Sequence, residues 1–157
     1  MDEAEDGIEV GAPLPKVAAV APVEGLAVSI TWSDGRSEVI DLSPSLLAYK
    51  VFKPLRTDRA LFERVAVEEF GSGIYWPGEM DLGSYTLERL AESQRPMSAA
   101  DFRGWLDRHG FTLDAGAAVL GLSRRQVAYY TSGEKPVDRT VALACRGYDS
   151  VVGAAAE

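Results

Sequence analysis

The stretch GLSRRQVAYYTSGEKP, residues 121–136, carries several side chains that can donate hydrogen bonds to nucleic acid. Arginine can donate two hydrogen bonds to O6 and N7 of guanine, and glutamine can pair with N6 and N7 of adenine. Arg124, Arg125 and Gln126 follow one another where a helix could begin. The N-terminus of a helix also carries partial positive charge, which favours phosphate. The sequence therefore predicts that these three residues contact the bases of double-stranded DNA.

Further polar side chains around this stretch are suited to the DNA backbone. The predicted phosphate contacts are Thr112, Ser123, Lys135 and Arg139. Tyr129 is expected either to stack on or touch phosphate, or to pack on its neighbours. A basic helix face is often only solvated, and paired helices also serve as protein-binding scaffolds, so both alternatives stay open.

The charge of the chain is unevenly distributed, which bears on contact with a polyanion. The 157 residues have a formal net charge of −8. Residues 1–97 hold 17 acidic and 9 basic side chains, a net of −8, and residues 98–157 hold 7 of each. Residues 122–147 hold five basic and two acidic side chains, a net of +3. This local positive charge, rather than the total, governs contact with phosphates.

The spacing of small and apolar residues predicts two helices joined at a steep angle by a short turn. Ala117 is small where the second helix would cross the first, and Gly121 tolerates positive φ at the corner. Val127 and Tyr130, one turn apart, would point toward one core. The spacing Ala–x3–Gly–x5–Val–x2–Tyr is typical of a helix-turn-helix. The outward face of the second helix would then carry the predicted DNA-reading side chains.

Four helices are predicted within a domain of residues 97–150. Their predicted N-cap residues are Ser98, Thr112, Ser123 and Asp138. Glycines at 110, 121 and 133 can end the first three helices. The fourth helix is expected to bury Val141, Leu143, Ala144 and Cys145.

Residues 16–96 are predicted to form a small antiparallel sheet with short helices. Apolar residues alternate at period two from Leu26 to Trp32, and Asp34-Gly35 is a strong hairpin turn. The alternation and turns predict about four or five strands. Trp32 and Trp76 are expected in the core. The fold class is therefore α+β: an antiparallel-sheet N-terminal domain followed by an all-α domain.

Two local features complete the prediction for the front of the chain. Ser43 and Pro44 are expected to begin a short helix, with Ser43 as N-cap. Val65, Val67 and Phe70 are expected in one strand. Residues 1–15 are acidic and without periodicity, so they are predicted to be a disordered tail.

Residues 99–147 resemble the lambda-repressor-like, Cro/C1-type (Xre-like) helix-turn-helix domain. The pattern that carries this resemblance is FTLDAGAAVLGLSRRQVAYYTSGEKPV, with LGLS at the turn and residues 133–136 as the following loop. The resemblance implies a bacterial DNA-binding protein whose second motif helix is the recognition helix. Because one such module makes few phosphate contacts, we expect a transcriptional regulator that works as a homodimer.

Residues 16–90 resemble a bacterial family of unknown function, domain of unknown function 2442. The segments that carry the resemblance are ITWSDGRSEVIDLSP, FKPL, LFERV and IYWPGEMDL. The resemblance implies a small α+β unit that is sometimes fused to a helix-turn-helix and sometimes encoded beside a toxin-like partner. The alternative function is therefore an antitoxin-like or scaffold module whose N-terminal domain binds a partner protein.

Nothing in the sequence favours an enzyme, a cofactor or a metal site. His109 is the only histidine and Cys145 the only cysteine, so neither zinc spacing nor a nucleophile beside a base is evident. One cysteine cannot form an intramolecular disulfide, and no apolar run approaches membrane-spanning length. The sequence therefore predicts a cytoplasmic, non-enzymatic protein without cofactor, metal or membrane contact.

Overall fold

The computed structural model describes residues 12–155, which divide into two compact units between Glu92 and Ser93. Residues 1–11, most of the segment predicted to be disordered, lie outside the described residues. The first unit combines antiparallel sheets with short helices, and the chain after residue 98 is helical, so the class is α+β. Across residues 12–155, none of the helices has the length and apolarity that crossing a membrane requires.

The first unit contains two three-stranded antiparallel sheets. One sheet has the strand order β1 (Val17–Pro22), β2 (Ala27–Trp32) and β3 (Ser37–Asp41). The other has the order β4 (Ala66–Val67), β5 (Gly73–Trp76) and β6 (Met80–Gly83). The hairpin turn at Gly35 has φ 91°, as the Asp-Gly pair predicts. The described residues thus hold six strands, whereas the sequence predicts about four or five.

The period-two alternation of β2 places one of its faces in the core. Val28, Ile30 and Trp32 are fully buried. The Trp32 indole N–H donates to a Glu38 carboxylate oxygen at 2.8 Å, and that of Trp76 donates to the Phe62 carbonyl at 2.9 Å. Both tryptophans are therefore core residues with satisfied donors, which confirms their predicted place.

Short helices cover the sheets of this unit. Their bounds are α1 (Ser43–Ala48), a 3-10 turn (Lys50–Phe52), α2 (Lys53–Thr57), α3 (Arg59–Phe62) and α4 (Ser84–Gln94). Arg59 fastens α3 to the β1–β2 connection, because its two terminal nitrogens donate to the carbonyls of Gly25 and Val23 at 2.7 Å.

Two local predictions for this unit are wrong. The Ser43 hydroxyl does not cap α1, because it donates to Asp41 at 2.6 Å, and Leu42 occupies the N-cap position. Val65 and Phe70 are not in a strand, since β4 spans only Ala66–Val67. Phe70 instead adopts φ 59° in a 3-10 turn, with 83% of its surface exposed. A bulky residue in this left-handed region is strained.

The second unit consists of four helices in the described chain. They are α5 (Ala99–Arg108), α6 (Leu113–Leu120), α7 (Arg124–Ser132) and α8 (Arg139–Ala155). Ser98, Thr112 and Ser123 accept hydrogen bonds from the backbone N–H three residues later, which confirms them as N-caps. The core of the unit joins Phe102 and Trp105 of α5 to residues of the other helices.

The last helix differs from its prediction in length and in the face that it buries. α8 runs to Ala155, past residue 150 where the domain was expected to end. Val141, Ala142 and Cys145 are buried, whereas Leu143 is 44% exposed and Ala144 is also exposed. The predicted burial of Leu143 and Ala144 is therefore wrong, because the 3.6-residue period that buries Val141 and Cys145 turns them outward.

Candidate nucleic-acid interface

The corner between α6 and α7 depends on the glycine that the sequence places there. Gly121 has φ 69° in the left-handed region, where residues other than glycine are disfavoured. The Gly121 N–H and the Leu122 N–H both donate to the Ala117 carbonyl, the latter at 2.9 Å. These hydrogen bonds end α6 and let the chain reverse into α7 within three residues.

The close approach of helices in this unit depends on a glycine that the sequence analysis did not single out. A Cβ at Gly116 would lie 2.5 Å from Cδ2 of Leu106, so a larger residue there would require the buried Leu106 side chain of α5 to shift. Ala117 and Val127 are buried in the same core, as predicted. A glycine inside a predicted helix was the available signal, because such a residue often has a packing reason.

Tyr130 anchors the inner side of α7. Its ring packs edge-on against Phe102 with centroids 5.6 Å apart, and its hydroxyl donates to an Asp138 oxygen at 2.9 Å. Burial, followed by the Asp138 carboxylate, raises the pKa of the Tyr130 phenol. Asp138, predicted to cap α8, directly precedes that helix, and its side chain binds Tyr130 of α7.

Arg125, Tyr129 and Lys135 form what we call the basic cluster. The Arg125 Nε donates to the Tyr129 hydroxyl at 2.6 Å, and its guanidinium carbon lies 5.3 Å from the ring centroid. The Lys135 Nζ lies 4.6 Å from the same centroid. Both contacts are cation–π contacts. One tyrosine therefore orients two cations on the side of α7 away from Val127.

Gln126 has a structural task that limits its predicted role. Its Oε1 accepts from the Ser123 N–H at 3.1 Å, while the Ser123 hydroxyl accepts from the Gln126 N–H at 3.2 Å. This reciprocal capping box stabilises the start of α7. Bidentate pairing with adenine needs both the oxygen and the nitrogen of the amide. The Ser123 N–H and hydroxyl both donate to the Gln126 oxygen that such a pair would use.

Arg124 is exposed but has an acidic neighbour. Its Nε lies 3.4 Å from Oδ1 of Asp114, which projects from the first turn of α6. Exposed pairs of this kind contribute little to stability. Asp114 was missed by the sequence analysis, since its proximity to Arg124 depends on the angle between two helices. It places a negative charge beside a predicted base-reading residue.

The remaining predicted residues lie on the same unit without joining the basic cluster. Thr112 caps α6, and its hydroxyl accepts from the Ala115 N–H at 3.1 Å. Arg139 is exposed at the first position of α8. Within residues 12–155, neither forms a hydrogen bond or ion pair with the other predicted residues. The structure thus brings three of the eight together and pairs Ser123 with Gln126.

The single histidine and the single cysteine of the second unit serve its packing. The His109 Nε2 lies 2.6 Å from Asp149, whose Oδ1 also accepts from the Trp105 indole at 2.9 Å. Burial, which outweighs smaller charge effects, raises the pKa of the Cys145 thiol to about 11. Among the described residues, histidine, cysteine and carboxylate side chains do not gather in groups of three that could hold a metal ion.

Comparisons with known proteins assign the front of the chain to a family. Residues 17–93 match the model of the family described as Protein of unknown function (DUF2442). No curated protein matches the chain. A crystal structure of a Nitrosomonas europaea protein named "Putative DNA Binding Protein" is 31% identical, covers 86% of each chain and has a TM-score of 0.45.

Proposed function

We propose that this chain, in which residues 17–93 belong to the DUF2442 family of unknown function, is a DNA-binding protein that reads the major groove with α7. In this proposal, α6 and α7 form a helix-turn-helix of the lambda-repressor-like kind, and α7 is its recognition helix. The helix pair itself supports the proposal.

The basic cluster is the observation on which the proposal depends. The Arg125 and Lys135 cations both contact the Tyr129 ring, on the face of α7 that is turned away from the core. Arg and Lys held in place before binding lose less side-chain freedom when they meet a phosphate or a base. The contact of both cations with one ring is therefore what supports the proposal.

The predicted DNA-binding residues take distinct roles in this proposal. Arg125 reads guanine, and Lys135 contacts phosphate beside it. Arg124 leaves Asp114 to reach a base, and Gln126 contributes chiefly through its amide nitrogen. The proposed phosphate contacts are Thr112, Ser123 and Arg139.

We further propose a homodimeric transcriptional regulator in the cytoplasm, without enzymatic activity. One helix-turn-helix makes few phosphate contacts, whereas two copies about 34 Å apart would read successive major grooves. The groups suited to catalysis have other tasks: His109 binds Asp149, and Cys145 is buried with a raised pKa.

Selection of bound sequences from random DNA, followed by titration of the selected duplex, tests the proposal. Enrichment of a palindrome would support both DNA reading and two-fold symmetry. Arg125→Ala is expected to weaken specific binding by roughly 1–3 kcal/mol, the range for an arginine bidentate to guanine. Equal affinities of this variant and the parent would contradict the assignment.

Arg89→Ala supplies the matched control. Arg89 lies in α4 of the first unit, where its guanidinium carbon is 5.7 Å from the Tyr85 ring centroid and its Nη1 lies 3.4 Å from the Tyr85 hydroxyl. It therefore forms the same type of arginine–tyrosine pair at the same spacing, outside the proposed interface. Arg89→Ala changes the net charge by the same amount as Arg125→Ala. An equal loss of DNA affinity in the two variants would therefore show an effect of charge alone.

A partner-binding role of the first unit is the second candidate, and Phe70 favours it. This ring is 83% exposed on a backbone with φ 59°, a conformation that strains a bulky residue. Exposed aromatic side chains are frequent anchors at protein interfaces. Co-purification of a neighbour-encoded protein that Phe70→Ser abolishes would support this role. Absence of a duplex shift at low salt would favour it over DNA reading.

A further inference from the structure

Arg124 differs from the two cations of the basic cluster in the group that it contacts. Arg125 and Lys135 lie against the Tyr129 ring, which carries no opposing charge. The Nε of Arg124 instead lies 3.4 Å from Oδ1 of Asp114. Among the described residues of α7 and of the loop that follows it, no other basic side chain forms an ion pair with a carboxylate. The charge of Arg124 is therefore already opposed within the protein before DNA arrives.

The Asp114 carboxylate does not cap the helix on which it lies. The start of α6 is capped by Thr112, whose hydroxyl accepts from the Ala115 N–H at 3.1 Å. Asp114 follows in the first turn, where a negative charge also favours the helix dipole. If the dipole were its only partner, Asp114 would affect the stability of the unit and leave Arg124 fully available. The contact with Arg124 gives Asp114 a second effect.

DNA has to compete with Asp114 for the Arg124 guanidinium. In the proposed complex Arg124 leaves the carboxylate to reach a base, so the ion pair is lost when that base is bound. The exposure of the two side chains, 64% for Arg124 and 76% for Asp114, decides how much this loss matters. Because exposed ion pairs contribute weakly, the competition lowers DNA affinity by a few-fold at most and does not prevent binding.

The negative charge of Asp114 also acts on DNA directly, and this effect differs from the competition in its dependence on sequence. Repulsion between a carboxylate and the phosphates is the same for every duplex, since the backbone carries no sequence information. The ion pair with Arg124, in contrast, is given up only where a base takes its place. The competition therefore falls on the site that α7 reads, whereas repulsion falls on all DNA.

We propose that Asp114 is an intramolecular competitor of DNA for Arg124 and thereby lowers the affinity of this protein for the site that α7 reads. The competition rests on the proposed function, because it exists only if Arg124 contacts a base. Asp114 is in this respect a residue that sets affinity from the neighbouring helix of the pair. It lowers the contribution of Arg124 and leaves Arg125 and Lys135 unopposed.

Titration of the full chain against the selected duplex and a scrambled duplex of the same composition tests the competition. Asp114→Asn should bind the selected duplex about two- to fivefold more tightly than the parent, with a smaller gain on the scrambled duplex. Asp107→Asn is the matched control. Asp107 is exposed on α5, and within residues 12–155 its carboxylate forms no ion pair. The same change of charge at Asp107 should therefore act equally on both duplexes.

A double-mutant cycle with Arg124→Ala isolates the ion pair from the charge of Asp114. In the Arg124→Ala background there is no cation to compete for, so Asp114→Asn should change the affinity no more than Asp107→Asn does. Urea titration of the same variants supplies a second measurement. Because Asp114→Asn removes a charge that favours the helix dipole, its urea midpoint should not rise while its DNA affinity does.

The outcomes separate this competition from the proposed function. An Asp114→Asn variant that gains nothing on the selected duplex, gains equally on both duplexes, or gains as much without Arg124 would overturn the competition alone. An Arg124→Ala variant that binds as tightly as the parent would overturn it too, since Arg124 would then contact no base. If neither the parent nor the Asp114→Asn variant bound any duplex, the proposed function would fall and the competition with it.

Discussion

Tyr129 offers a test of whether the basic cluster acts by orienting its cations or only by carrying their charge. Tyr129→Phe keeps the ring against both cations but removes the hydroxyl that accepts from Arg125 at 2.6 Å. Tyr129→Ala removes the ring as well. Neither change alters the net charge, and Tyr129 is only partly buried, so the fold should survive both.

The two changes should differ in magnitude. A hydrogen bond in a partly exposed site contributes about 0.5–1.5 kcal/mol, so Tyr129→Phe should weaken DNA binding by up to about tenfold. Tyr129→Ala also releases two long side chains, each of which costs about 0.5–1.5 kcal/mol to immobilise again on binding. Its total loss should be about 1.5–4.5 kcal/mol, a factor of roughly 10 to 2,000 in affinity.

Fluorescence anisotropy of a labelled selected duplex over a salt series separates orientation from charge. Because both tyrosine variants keep Arg125 and Lys135, the slope of log affinity against log salt should equal that of the parent. Lys135→Ala should instead lower the slope by about 0.9, the value for one lost phosphate contact. The orienting role of Tyr129 would be refuted if the Tyr129→Ala variant bound the duplex as tightly as the parent. A reduced slope of log affinity against log salt in this variant would refute it too.

Two predictions concern the stability of the second unit. Gly116→Ala should lower the free energy of unfolding by about 1–3 kcal/mol, because the new Cβ would lie 2.5 Å from Cδ2 of Leu106. Urea titration measures this change. Gly104→Ala is the control, because the nearest atom to its new Cβ is Nη1 of Arg108 at 3.8 Å. The Cys145 pKa is raised from 9.0 to about 11, so above pH 9 the unfolded chain loses its thiol proton first and stability should fall as pH rises toward 11. Comparison with Cys145→Ala isolates this dependence, and identical pH slopes would contradict it.

Much of the second unit could be predicted from sequence because its signals are local. Ser98, Thr112 and Ser123 cap helices as predicted, since a cap depends on the backbone N–H groups two or three residues away. Gly121 takes positive φ because the same short connection must reverse the chain. The outward face of α7 follows from the period that buries Val127 and Tyr130.

Predictions failed where a residue's environment comes from distant parts of the chain. Phe70 is apolar and follows a strand, yet its turn holds it in solvent. Leu143 fits a buried helical pattern as well as Ala142 does, and only the packing of α8 on its unit decides which of them is covered.

The sequence by itself determined the elements and the chemistry they carry: an α+β chain, a glycine corner between α6 and α7, and a run of basic side chains after it. Those features depend on backbone geometry and periodicity over a few residues, which the local sequence contains. Only the tertiary structure decided that Tyr129 holds Arg125 and Lys135 together, that Asp114 meets Arg124, and that Leu143 of α8 is exposed. These contacts depend on the angles at which helices and loops pack, because two side chains interact only when their elements bring them within a few ångströms.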